Sequence, residues 1–172
     1  MILEAHKTNK IQAVIGRSAD FYGPDAKNSS LYIGFLQGIL KGKNPRWLNK
    51  PDQEHTYAFT ADNGRALVEL ALNESTYGGV WHLPVGKKIT IEEILKITNK
   101  ELGTNYKISY MSGFLMAILS LFIPIVREVK EMSYQFDNIY DMSYTKFQKR
   151  FPDFKVTDYT KGIQEMIKSF SE

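Results

Sequence analysis

The sequence offers few side chains for covalent or metal chemistry. It contains no cysteine, which removes a thiolate nucleophile, a disulfide framework and any cysteine-ligated zinc. Its three histidines, His6, His55 and His82, lie far apart in the chain, so a structural metal is not expected. The best-placed acid is Asp20, within Arg17-Ser18-Ala19-Asp20-Phe21-Tyr22-Gly23-Pro24, a segment that directly follows the apolar run Ile11 to Gly16. Such a run reads as a buried strand, and in open α/β sheets ligands sit at the carboxyl ends of the strands. A carboxylate there serves equally well to cap its own turn. His55 and Tyr57 belong to an alternating segment, where a lone histidine reads more readily as a surface or satisfied core residue than as an acid–base group, and the tyrosine reads as core. His82, beside Trp81, reads as structural. Gly34, Gly38 and Gly42 fall four apart, inside a helical pattern and without the Lys-Ser/Thr pair that ends a phosphate loop, so they predict close backbone packing.

Elements must exist to hold these residues, and the chain is long enough for them. At 172 residues with 43% hydrophobic content, it corresponds to one domain burying roughly 70% of the surface that its unfolded form exposes. The 22 basic and 19 acidic residues are interspersed, giving no block to track a phosphate backbone, so nucleic acid is not an expected partner. The apolar run at the amino terminus is too short for a signal peptide. Residues 113–126 carry no charge, but they fall short of the ~20 apolar residues of a spanning helix. The expected location is the cytoplasm, with no membrane contact.

Periodicity supplies the elements. Residues 2–8 predict the last turns of a helix, and Ile11 to Gly16 a strand. Ser29 or Ser30 caps a helix ending near Gly42. His55 to Phe59 predicts a strand, followed by a helix through Leu72 for which Thr60-Ala61-Asp62 offers caps. Val80 to Leu83 predicts a second buried strand closed by Pro84. Thr90-Ile91-Glu92-Glu93 has the spacing of a capping box and starts a helix over 91–102. A strand is expected at 107–110, then a long helical stretch over 113–136 bent near Pro124, with Phe114, Phe122, Tyr134 and Phe136 as packing residues. Phe151 and Pro152 close a short helix, and Thr157-Asp158 caps a final amphipathic one. Strand, crossover with helices, strand is the arithmetic of a parallel α/β unit. With so few parallel strands the sheet is incomplete. The expected fold is α/β: the last strands of a Rossmann-like parallel sheet (residues 1–90) joined to a mainly helical lobe (91–172) in a single fragment.

Four separated motifs carry a resemblance. Arg17 to Pro24 is similar to the Arg-x-x-Asp-Phe-Tyr-Gly-Pro signature after the sixth strand of NAD-dependent epimerase/dehydratase proteins, in the extended and atypical short-chain dehydrogenase branch. His55-Thr56-Tyr57-Ala58-Phe59-Thr60-Ala61-Asp62-Asn63-Gly64-Arg65-Ala66-Leu67, Val80-Trp81-His82-Leu83-Pro84 and Arg127-Glu128-Val129-Lys130-Glu131-Met132-Ser133-Tyr134-Gln135-Phe136 extend it in the same order. Phe151 to Phe170 is similar to the family's closing pattern. The resemblance is to the carboxyl-terminal half alone.

The resemblance implies a fold, an activity and a set of roles. The family's glycine-rich pyrophosphate turn and its Tyr-x-x-x-Lys pair belong to the amino-terminal half. Neither occurs here: no tyrosine has a lysine four positions later, and no glycine cluster opens a helix after an early strand. The resemblance therefore implies no catalytic residue in this chain. It places Ser18 and Ala19 near the nicotinamide, lines the substrate cleft with Asp20, His55 and Tyr57, and gives Arg17 and Asp62 the task of holding strand and helix in place. NAD or NADP would serve the complete protein, with neither bound tightly by this chain alone. In sugar-nucleotide epimerases asparagine and arginine commonly stand where Asp20 and His55 stand here. A carboxylate repels a diphosphate and an imidazole is a weaker anion clamp than a guanidinium, so a small-molecule substrate other than a nucleotide-sugar is expected. The alternative is a non-catalytic binding or interaction module derived from the same fold. A missing amino-terminal half, or a second copy, is the expected partner for the open strand edge.

Overall fold

The computed structural model describes residues 1–47, 50–110 and 138–171. The predicted helix over 113–136, with its four aromatic residues and the Arg127 to Phe136 motif, lies outside the described residues.

Among the described residues three parallel strand pairs organise the chain. Strand β1 (Ile15–Arg17) pairs with β5 (Val80–His82), Gly16 opposite Trp81. β2 (Phe21–Tyr22) pairs with β4 (Ala58–Phe59), and β3 (Arg46–Trp47) with β6 (Ser109–Tyr110). Parallel pairs need long crossovers. The β1–β5 crossover contains α2 (Gln37–Leu40), preceded by a π-helical turn at Tyr32–Leu36, and α3 (Thr60–Ala71). α1 (Ile2–Lys7) precedes the pairs, while α4 (Ile91–Leu102), α5 (Thr145–Arg150) and α6 (Tyr159–Ser171) follow β5.

Several expectations are corrected at residue level. Residues Ile11 to Val14 do not extend the first strand: Ala13 donates its N–H to His6 Nδ1 (3.3 Å) and accepts from the Gly78 N–H (2.7 Å), which fastens it as a loop. The His55 to Phe59 strand shortens to Ala58–Phe59, because His55 instead forms isolated bridges to Ile89 and Tyr140. None of Thr60, Ala61 or Asp62 caps α3; Phe59 occupies the cap position, and the Asp62 carboxylate is used elsewhere. The Arg46–Trp47 strand was not expected at all. Phe21–Tyr22, expected as loop, forms a short strand, while two helix caps form as expected. Ser29 Oγ accepts the Tyr32 N–H (3.1 Å) at the helix start. A Cβ at Gly34 would lie 3.2 Å from the Trp47 ring, the expected close approach, whereas Gly38 has only ordinary contacts from 3.6 Å and Gly42, with a φ of 69°, has no neighbour within 4 Å, which corrects the packing expectation there. Asp158 Oδ1 caps α6 through the Lys161 N–H (3.1 Å).

α4 starts with the predicted capping box: Glu93 donates its N–H to Thr90 Oγ1 (3.2 Å), and the Thr90 N–H returns to Glu93 Oε2 (2.9 Å). It ends at Gly103, whose φ of 62° suits a residue without Cβ. The bonds from the Thr90 backbone and then its hydroxyl hold the Glu93 carboxyl below its ordinary value. A lowered folded value means that the contribution is complete above the ordinary glutamate range and is lost as pH falls through the folded value. Melting curves at neutral and acid pH should therefore show a smaller acid loss in Glu93→Gln than in the parent. Equal losses would rule out this box as a source of acid sensitivity.

Two main apolar clusters hold the elements. One joins Tyr22, Leu31, Phe35, Leu36 and Trp47 to Ile91, Ile94 and Leu95 of α4 and Ile163, Met166 and Ile167 of α6. α6 crosses this core closely at Gly162, where a Cβ would stand 2.5 Å from the Tyr22 hydroxyl. The other packs Ala66 and Leu70 of α3 against Trp81, Leu83 and Phe147. The first cluster also holds Tyr22 of β2 and Phe59 of β4.

Candidate functional site

The loop leaving β1 carries Ser18, Ala19 and Asp20, and β2 follows it immediately. The Asp20 carbonyl accepts the Ala58 N–H (2.8 Å), tying this loop to the segment that carries His55 and Tyr57. His55 Nε2 lies 3.0 Å from Asp20 Oδ2, within ion-pair range. The two side chains differ in access: His55 is 6% exposed and Asp20 39%. The imidazole lies beside two phenols, with ring centroids 4.5 Å from Tyr57 and 4.6 Å from Tyr140, the latter stacked at 20°.

The backbone explains why these rings meet. His55 exchanges two bonds with Ile89, N to O and O to N, each 3.0 Å. The Thr56 N–H donates to the Tyr140 carbonyl (3.0 Å), and Thr56 Oγ1 accepts the Met142 N–H (3.1 Å). Tyr57 is buried, its N–H donating to Tyr159 Oη (3.1 Å). Burial, then the Asp20 charge and Tyr159, pushes the Tyr57 hydroxyl up. Burial followed by Asp20 does the same to Tyr140, and burial pushes Tyr159 up to about 12. All three phenols therefore stay neutral at physiological pH.

Asp20, His55 and Tyr57 are thus brought together, with only Asp20 well exposed. Ser18 is exposed, but its hydroxyl is engaged: it donates to the Ala19 carbonyl (2.7 Å) and accepts from Asn63 Nδ2 (2.8 Å). Ala19 is buried with Ala58 and Val85. Arg17 is exposed, and its carbonyl accepts the Leu83 N–H (2.8 Å). Asp62, buried, receives the Thr157 N–H and hydroxyl (each 2.7 Å) and Arg65 Nη2 (2.6 Å), locking α3 to the start of α6. Sequence reasoning missed Tyr140 and Tyr159. Nothing in their local patterns marks them, because each joins the site through backbone pairing or packing across a long stretch of chain.

Among the described residues no cluster of metal-ligating side chains occurs. A dinucleotide pyrophosphate needs unencumbered amides at a helix amino terminus. α3 follows β4 without a glycine turn and carries Asp62 in its first turn, while α4 carries Glu92 and Glu93 there. Carboxylates at these two positions oppose a second anion, so neither helix suits the pyrophosphate.

A cleft of about 440 Å³ adjoins the cluster, lined by Glu54, Lys87, Lys88, Asp141, Met142 and Tyr144 among others. Its charges balance, with Lys88 paired to Glu54 at 3.1 Å.

No protein-family model and no curated protein sequence matches the chain. Solved structures do. An epimerase, Mth375 from Methanothermobacter thermautotrophicus, superposes with a TM-score of 0.76 at 14% identity, covering 99% of this chain and 46% of that one. UDP-glucuronic acid 4-epimerase from Bacillus cereus, solved with NAD, gives 0.71 at 15% identity, covering 96% and 47%. dTDP-glucose 4,6-dehydratase from Bacillus anthracis, also with NAD, gives 0.69 at 18%, covering 98% and 47%. The chain therefore shares the Rossmann-like fold of these epimerases and dehydratases, and it spans about half their length.

Proposed function

We propose that this chain is the carboxyl-terminal, substrate-side portion of an NAD(P)-dependent epimerase, dehydratase or reductase, inactive by itself. The observation supporting this is that nearly the whole chain superposes on about half of each of these solved enzymes, with Asp20, in the loop leaving the carboxyl end of β1, brought to 3.0 Å from His55. In this reading residues 1–90 are the last strands, crossover and helices of the sheet, and 91–172 the substrate lobe. Ser18 and Ala19 lie near the nicotinamide of the complete protein, NAD or NADP, while Asp20, His55 and Tyr57 form the substrate side. A cytoplasmic location accompanies it; among the described residues no helix is long and apolar enough to cross a membrane.

The partner is read from β1. Ile15 donates to the Gly79 carbonyl and Arg17 accepts from Leu83, so in a parallel ladder the intervening Gly16 N–H and C=O face away from β5. That edge takes either the missing amino-terminal half or a second copy. An in-phase upstream reading frame encoding a strand, a glycine turn and Tyr-x-x-x-Lys would favour the enzyme portion over an interaction module.

Fluorescence titration of NADH and NADPH against the purified chain tests the reading. The expected result is no saturable signal, and micromolar binding would contradict it. Light scattering on the same sample reports the β1 edge, and a clean monomer removes self-association.

A further inference from the structure

We propose that His6 is a pH-sensitive latch, which holds α1 against the turn before β5 while its ring is neutral and releases it when the ring takes up a proton. α1 needs such a tie. It has six residues and buries none of them, and so short a helix is marginal in water without packing to support it. The tie is the imidazole: Nδ1 accepts the Ala13 N–H (3.3 Å), and the Ala13 carbonyl in turn accepts the Gly78 N–H (2.7 Å). The other edge of the ring lies on Gly78, where a Cβ would stand 2.8 Å from His6 Nε2. Gly78 also has a φ of 72°, so a side chain there would strain the turn as well as displace the ring.

Protonation reverses the bond. A neutral imidazole offers one nitrogen as an acceptor, whereas the charged ring carries N–H on both, so Nδ1 would then face the Ala13 N–H donor against donor. The bond exists only with the neutral ring; it is present at higher pH and lost as pH falls through the range in which imidazoles titrate. Neighbouring charges do not override this. Glu4 and Lys7 share the helix, and the cavity of about 570 Å³ beside the ring is lined by Lys10 and Glu74, of opposite sign, and by Tyr77, whose hydroxyl already donates to the Ala71 carbonyl (2.7 Å). Among the described residues no carboxylate forms an ion pair with His6. Release is local, because Ala13 stays bonded to Gly78 and β1 to β5. It uncovers the Gly78 turn and the entry to β1.

The test is NMR of the 172-residue chain from about pH 8 down to about pH 5, the span in which an imidazole changes charge. The Ala13 amide proton and the His6 ring are expected to titrate with one midpoint. Over the same span, solvent exchange of the Ala5, Thr8 and Lys10 amides, corrected for its intrinsic pH dependence, should rise about fivefold or more, the worth of one intramolecular hydrogen bond, while Ala66 and Leu70 of α3 keep their protection. His6→Asn places an amide oxygen near the position of Nδ1 and cannot take up a proton, so it should abolish the pH dependence. His6→Ala should show the acid-state exchange at both ends of the span. Three results would overturn the proposal: exchange in α1 that ignores pH, a dependence that survives in His6→Asn and so belongs to His55 or His82, or α3 opening together with α1. Each would leave the substrate-side reading standing, because the latch uses nothing from it.

Discussion

Phe147→Ala should lower the unfolding free energy by about 3–5 kcal/mol, the range for removing a fully buried aromatic side chain. Phe147 has 0% exposure and sits where α5 meets the β1–β5 pair, in one cluster with Ala66, Leu70, Trp81 and Leu83. Its ring contacts Phe151 at 4.8 Å and Phe154 edge-on at 5.2 Å between centroids. Little can collapse into the void, because Lys146 covers the Trp81 ring at 4.0 Å and donates to the Val80 carbonyl (3.0 Å), anchoring α5 from its other side. A domain's whole stability is typically about 5–15 kcal/mol, so urea denaturation should show a large drop in midpoint. A loss under about 1 kcal/mol would mean that α5 does not pack as described.

Asp62→Ala is the second large effect, expected at about 2–4 kcal/mol. The carboxylate is 1% exposed and serves three donors: the Thr157 N–H, the Thr157 hydroxyl and Arg65. Truncation strands the Thr157 amide and frees the entry to α6 from α3. Arg65 is the lesser partner, since its side chain is 54% exposed and such pairs are worth about 0–1 kcal/mol. Arg65→Ala should therefore cost well under half of what Asp62→Ala costs in the same urea experiment. Equal costs would assign the network to the ion pair instead of the Thr157 bonds.

These two residues also mark how far the sequence could be read. Asp62 sits three positions after a strand, where it resembles a helix cap; only the fold reveals that its acceptors are spent on a residue near the start of the last helix. α4 was legible because its start, apolar face and stop are all local: the Thr90–Glu93 box, Ile91, Ile94 and Leu95 buried, and Gly103 in the left-handed region. The first strand was legible in type but not in extent, since Ile11 to Val14 are apolar enough for a strand yet are held by His6 and Gly78. β3 was invisible because a two-residue strand has no period. At the site, Asp20, His55 and Tyr57 could be placed together by motif resemblance, and the geometry adds their difference in exposure. Tyr140 could not be found that way, because its stacking on His55 depends on a bridge that no spacing encodes.

The central claim is that the chain carries a substrate wall without the means to move hydride and proton. Turnover of NADH or NADPH by the purified chain, followed by nicotinamide absorbance across a panel of ketones and alcohols, tests it most directly. The account predicts rates indistinguishable from those without protein. Turnover that rises with protein concentration and vanishes on heat denaturation would contradict it.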